Sequence, residues 1–69
     1  MDKYTVCYEP GGEDRMDELQ VCRWEAGVTP GTFIGEILWR TTNCTIGGEK
    51  QAQAIVDELY ETDSLTEKQ

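Results

Sequence analysis

The chain has 69 residues, with fourteen Asp and Glu against six Lys and Arg, no His, and a formal net charge of −8. A chain this short forms one thin-cored domain that buries only ~60% of the surface its unfolded form exposes, which leaves room for one sheet and one helix but not for an enclosed substrate cleft. The sign of the charge excludes nucleic-acid binding by phosphate neutralisation, disfavours an anionic membrane surface, and draws the chain toward basic surfaces.

The first stretch, "KYTVCYE" (residues 3 to 9), alternates Tyr4, Val6 and Tyr8 with Thr5, Cys7 and Glu9. Aromatic and β-branched residues at period two predict a strand. Pro10 ends it, and Gly11-Gly12 permit a turn. "ELQVCRWE" (residues 18 to 25) predicts a second strand, with Leu19 and Val21 on one face and Cys22 and Trp24 on the other. After a turn punctuated by Pro30-Gly31, "FIGEILWR" (residues 33 to 40) predicts a third. In it Phe33, Gly35, Ile37 and Trp39 alternate with Ile34, Glu36, Leu38 and Arg40, and Gly35 marks a bulge or a close backbone approach. Strands two and three are expected to pair as an antiparallel hairpin.

Thr45 or a nearby glycine is placed to cap a helix beginning around Gly48. Ala52, Ile55, Val56, Leu59 and Tyr60 then recur at i, i+3, i+4, i+7 and i+8, a stripe suited to docking on a sheet. The helix is expected to fade near Thr62, leaving residues 63–69 as a frayed acidic tail behind a single compact domain of residues 1–62. The predicted fold is α+β: a three-stranded antiparallel sheet with one C-terminal helix packed on one face. The other sheet face lacks a cover, and Trp24 and Trp39 are candidate aromatic contacts there, or else part of the core.

Chemistry is sparse. General acid–base catalysis needs a carboxyl or imidazole held in a cleft, and the carboxylates here fall on turns and an outward helix face. A cysteine nucleophile would lack its usual imidazole base. Cys7, Cys22 and Cys44 are odd in number, widely spaced and form no C-x-x-C, so neither metal nor other cofactor is expected. The N-terminal "MDKYTVCYEP" carries no apolar signal stretch, so reduced thiols in a cytosol are expected, and the Asn43-Cys44-Thr45 sequon is read as chance. "TIGGEK" lacks the spacing and the final hydroxyl residue of a P-loop, so its glycines are read as the turn from sheet to helix. The expectation is a non-enzymatic binding protein.

The acidic pattern is stronger. Asp57 and Glu61 lie one turn apart opposite the apolar stripe, Glu58 flanks them, and Asp63 and Glu67 follow, while no Lys or Arg occurs from Gln51 to Thr66. Like charges at i, i+4 cost ~0.2–0.5 kcal/mol, and negative charge in the last turn costs ~0.3–1 kcal/mol more at low salt. Local rules broken without visible compensation point to function. A second group, Glu13, Asp14, Asp17 and Glu18, occupies the first turn, where charge also serves simple solvation. Carboxylates one turn apart repeat every ~6 Å, against ~7 Å for successive phosphates of one DNA strand, so the helix is shaped to enter a basic groove built for nucleic acid.

With "AIVDELYETD" (residues 54 to 63) as its acidic helix, the chain resembles the small acidic anti-CRISPR proteins that phages encode. The likeness lies in size, acidity and the sheet-plus-helix plan rather than in a diagnostic motif. It implies, in the cytoplasm of a bacterial host, binding to a CRISPR effector subunit or another nucleic-acid-binding protein and blockage of DNA access, in some members by DNA mimicry. The alternative expectation is a small regulatory, adaptor or antitoxin-like module that binds a protein through its open sheet face. Its acids would then confer only solubility. Either way the chain is expected as a monomer or a weak homodimer.

Overall fold

A computed structural model describes residues 2–67, in the order β1 (Tyr4–Glu9), β2 (Glu18–Ala26), β3 (Phe33–Thr41) and α1 (Ile46–Glu67). The strands form one antiparallel sheet in the order β1-β2-β3, followed by the single helix, which is the expected β-β-β-α plan. Val6 pairs with Val21, Tyr8 with Leu19, and Val21 with Trp39, so these side chains share one face. Tyr4, Val21, Ala52 and Val56 form the central buried cluster, Val6, Trp39, Ile55 and Leu59 pack against it, and Leu19 and Cys22 are buried as well. The helix lies over β1 and β2, and Trp39 is the β3 side chain that packs against that core.

The third strand departs from simple alternation. Val21 faces Trp39 and the next residue, Cys22, faces Ile37, which leaves Leu38 without a partner as a β-bulge. One extra residue shifts the period-two phase. Phe33, Gly35 and Ile37 therefore share the uncovered face with Trp24 and Cys22, while Trp39 turns to the helix side. The alternation read from sequence put Trp39 with Phe33 and Ile37, and that assignment is corrected. The glycine does mark a close approach: a Cβ at Gly35 would come within 2.6 Å of the Trp24 ring, and the bulge sits three residues on.

The helix starts two residues earlier than expected because Thr45 caps it. Its carbonyl accepts from the Glu49 N–H (3.0 Å) and its hydroxyl oxygen from the Gly48 N–H (3.4 Å), which satisfies donors that a helix start leaves free. Asn43 Oδ1 fixes the cap by accepting from the Thr45 hydroxyl at 2.6 Å. Gly48 is buried against the Asn43 carbonyl, where a Cβ would overlap it.

At the other end the helix continues through Glu67 instead of fading near Thr62. Asp63 lies three, four and seven residues beyond Tyr60, Leu59 and Val56, so it falls on the sheet-facing stripe. There it accepts from Lys3 Nζ (2.7 Å) and the Tyr4 hydroxyl (2.8 Å). This tie to the start of β1 holds residues that the sequence reading assigned to a frayed tail. Lys68 and Gln69, the end of that tail, lie outside the described residues, as does the Glu67 side chain. No described helix is long and apolar enough to cross a membrane.

Candidate functional site

The outward face of α1 carries Asp57, Glu58 and Glu61, all exposed. None of them forms an ion pair among the described residues. Asp57 accepts one side-chain bond, from Gln53 Nε2 at 3.0 Å, one turn earlier. A helix places i and i+4 on the same side, so Gln53, Asp57 and Glu61 form one polar row with Glu58 beside it. Trp24, Phe33 and Ile37 are on the sheet's far side from α1.

Asp63 belongs to a different environment. It is half-buried against β1, and its carboxyl is held below the ordinary carboxylate range, first by the Lys3 hydrogen bond and then by that of Tyr4. The Lys3 ammonium is raised by the same bond, and the Tyr4 phenol by burial and then by Asp63. Lys3 brings a cation to the helix's negative end, where the last turn holds no base of its own. Part of the electrostatic cost read from the helix sequence is thus compensated by a residue sixty positions away. The structure separates Asp63 from the exposed row to which the sequence reading joined it.

The first-turn group divides in the same way. Asp17 is occupied by the Tyr8 hydroxyl and by the Gly11 N–H (2.7 Å), and these bonds, in that order, lower its carboxyl. Glu18 is half-buried and accepts from Gln20 Nε2 at 3.3 Å. Glu13 and Asp14 remain exposed. This turn follows the end of β1, beside the cleft formed with the first turns of α1, whereas Asp63 and Tyr60 meet the start of β1. Six strand residues put ~17–20 Å between those ends, so the two acidic groups do not merge.

The cleft at the helix start is open, about 450 Å³, with Val6, Tyr8 and Leu19 against Glu49, Lys50 and Gln53. Among the described residues no group of three or more His, Cys, Asp or Glu is placed to hold a metal ion. Burial, and then Cys7, pushes the Cys22 thiol up to about 11, so it stays protonated near neutrality.

The uncovered sheet face is the other surface of note. Trp24 is half-buried there, its indole N–H donating to Thr5 Oγ1 at 2.8 Å while its ring lies over Gly35. Phe33 and Ile37 beside it are 48% and 50% exposed. Sequence reasoning had named the two tryptophans as contacts. The exposed apolar pair is Phe33 and Ile37 instead, and their i, i+4 spacing along a strand was the available signal. Comparison of the chain with protein-family models, with curated proteins and with solved structures returned no match.

Proposed function

We propose that this chain is a non-enzymatic inhibitor that occupies the basic groove of a nucleic-acid-binding protein, such as a CRISPR effector subunit, and blocks DNA access. The observation that carries the reading is the row of Asp57, Glu58 and Glu61, exposed and without a cation partner among the described residues, on a helix where the nearby Asp63 is tied down by Lys3. Like charges one turn apart, with no cation of their own among the described residues, repel at a cost of ~0.2–0.5 kcal/mol per pair, and cations of another macromolecule recover it. The ~6 Å repeat of the row fits sites that accept successive phosphates. Opposite charges on the two partners steer the encounter and make it salt-sensitive.

The test is capture from bacterial lysate at low salt and release at high salt. The released protein's DNA binding is then measured against the parent chain and Asp57→Lys/Glu61→Lys. The parent is expected to compete with duplex DNA. The double reversal should lose at least about tenfold in inhibition, equivalent to ~1.4 kcal/mol, with its helix signal unchanged. Equal inhibition by parent and variant at physiological salt would remove this helix from the contact.

A second reading, an adaptor or antitoxin-like module, draws support from Phe33 and Ile37 exposed beside Trp24 on the uncovered face. In that case Trp24→Ala would abolish capture and the helix reversals would leave it intact.

A further inference from the structure

We infer that the free edge of β3 pairs with β3 of a second copy, giving a two-fold dimer with one continuous six-stranded sheet centred on Gly35. This inference does not rest on the reading of the acidic helix. The two sheet edges differ. At the β1 edge, the Tyr60 hydroxyl accepts from the Tyr4 N–H (3.0 Å) and donates to the Tyr4 carbonyl (3.3 Å), so the helix guards that strand. Among the described residues β3 has no such cover, and every residue from Phe33 to Leu38 is exposed.

The main-chain groups at this edge point outward in a defined set. The Gly27 N–H donates to the Thr32 carbonyl at 2.8 Å, which makes 27 and 32 a hydrogen-bonded pair. Such pairs alternate along an antiparallel ladder, so Phe33 opposite Ala26, Gly35 opposite Trp24 and Ile37 opposite Cys22 are non-hydrogen-bonded pairs. The Trp24 N–H donates to Lys3 O at 2.7 Å, toward β1, which independently turns Gly35 away from β2. The N–H and C=O groups of Phe33, Gly35 and Ile37 therefore face solvent. Natural edges of this kind are blunted by charged side chains, Pro or a bulge. Between Phe33 and Ile37 there is neither Pro nor bulge, the bulge coming only at Leu38, and the one charge, Glu36, is bonded back to Arg23 of β2 at 2.8 Å.

Two-fold pairing needs a strand that complements itself. Centring on Gly35 sets it against Gly35 of the second copy and Phe33 against Ile37 in both directions. All of these residues carry outward main-chain groups, and the aromatic and β-branched side chains meet on the same face. Glu36 then faces Ile34. Centring on Glu36 would oppose two carboxylates, and centring on Ile37 would run into the bulge. The molecule is flat, 45 × 31 × 14 Å, and leaves surface open that a second copy could cover. The chain exposes 5361 Å², against ~4,400 Å² expected for a 7.8 kDa monomer, and the excess of roughly 1,000 Å² compares with the ~800 Å² that each partner buries in a standard interface. The radius of gyration, 13.9 Å against ~11 Å expected for this length, agrees.

Sedimentation equilibrium and amide hydrogen exchange test the dimer. The mass is expected to rise from 7.8 kDa toward twice that value between about 10 µM and 1 mM chain. Association should strengthen with added salt, because each copy carries −8. That dependence is opposite to the one expected for a basic partner, so the two proposals fail separately. Over the same range the amides of Phe33, Gly35 and Ile37 should gain roughly tenfold protection or more, while those of Ile34 and Glu36, already turned to β2, change less. Phe33→Lys/Ile37→Lys should be monomeric with unchanged far-ultraviolet dichroism. Phe33→Pro, which removes an outward N–H at the first residue of a strand, should weaken association at least about tenfold. A single-chain mass throughout, a dimer indifferent to these substitutions, or protection gained at other amides instead would overturn the inference.

Discussion

The Trp24 indole lies across the backbone at Gly35 and anchors itself on Thr5, so three strands meet in one side chain. Any Cβ at position 35 must displace that ring, at a cost of about 1–3 kcal/mol for an overpacked contact. Gly35→Ala is therefore expected to lower the melting temperature and to red-shift Trp24 emission, measured in a Trp39→Phe background so that one indole reports. An unshifted spectrum would mean the ring never leaned on this backbone. The sequence pattern singled out Gly35, since a glycine inside a strand signals close approach. It missed the bulge at Leu38, because alternation is counted along one strand while a bulge is a relation between two. That omission placed Trp39 on the wrong face.

The helix shows what periodicity reveals and what it hides. Ala52, Ile55, Val56, Leu59 and Tyr60 were legible as the docking stripe, and Asp63 continues it at the same spacing. It was overlooked because a carboxylate is not expected on an inward face, and its partners Lys3 and Tyr4 lie at the other end of the chain. Its carboxyl is depressed below the ordinary 3.8, so its contribution is present above that value and lost as pH falls through the lower folded one. Lys3 is raised above 10.5, so its contribution is present below that value and lost as pH rises through the higher folded one. The tie is thus complete across the neutral range. Asp63→Asn should speed amide exchange in residues 63–66 several-fold at neutral pH. In the parent that protection should decay as the solution is acidified below pH ~4, and in the variant it should stay flat. Equal protection in the two proteins at pH 7 would show that the helix end holds itself.

Over the whole molecule, the order of elements was legible because each has its own period and punctuation. The distribution of charge was legible only in part. The sequence shows fourteen acids but not which of them are engaged, and Asp17 and Asp63 are taken up by tyrosines, a backbone amide and Lys3, while Asp57, Glu58 and Glu61 have no cation partner among the described residues. Edge pairing through β3 has a dyad normal to the sheet, so both helices of the dimer would stand on one side. Their acidic rows would then be offered together to a basic partner, and the far side would carry the joined Phe33 and Ile37 strip. The two associations respond to salt in opposite directions, so a titration separates them in a single preparation.

The unpaired Leu38 also decides on which side the chain leaves the sheet. Were it paired in the regular ladder opposite Val21, Trp39 and Thr41 would exchange sides with Arg40, the Thr45 cap would be delivered half a strand period out of phase, and α1 would be launched toward the Trp24 side. Its apolar stripe would arrive over Phe33 and Ile37 in place of Val21, so this one residue acts as a handedness selector for the entire fold.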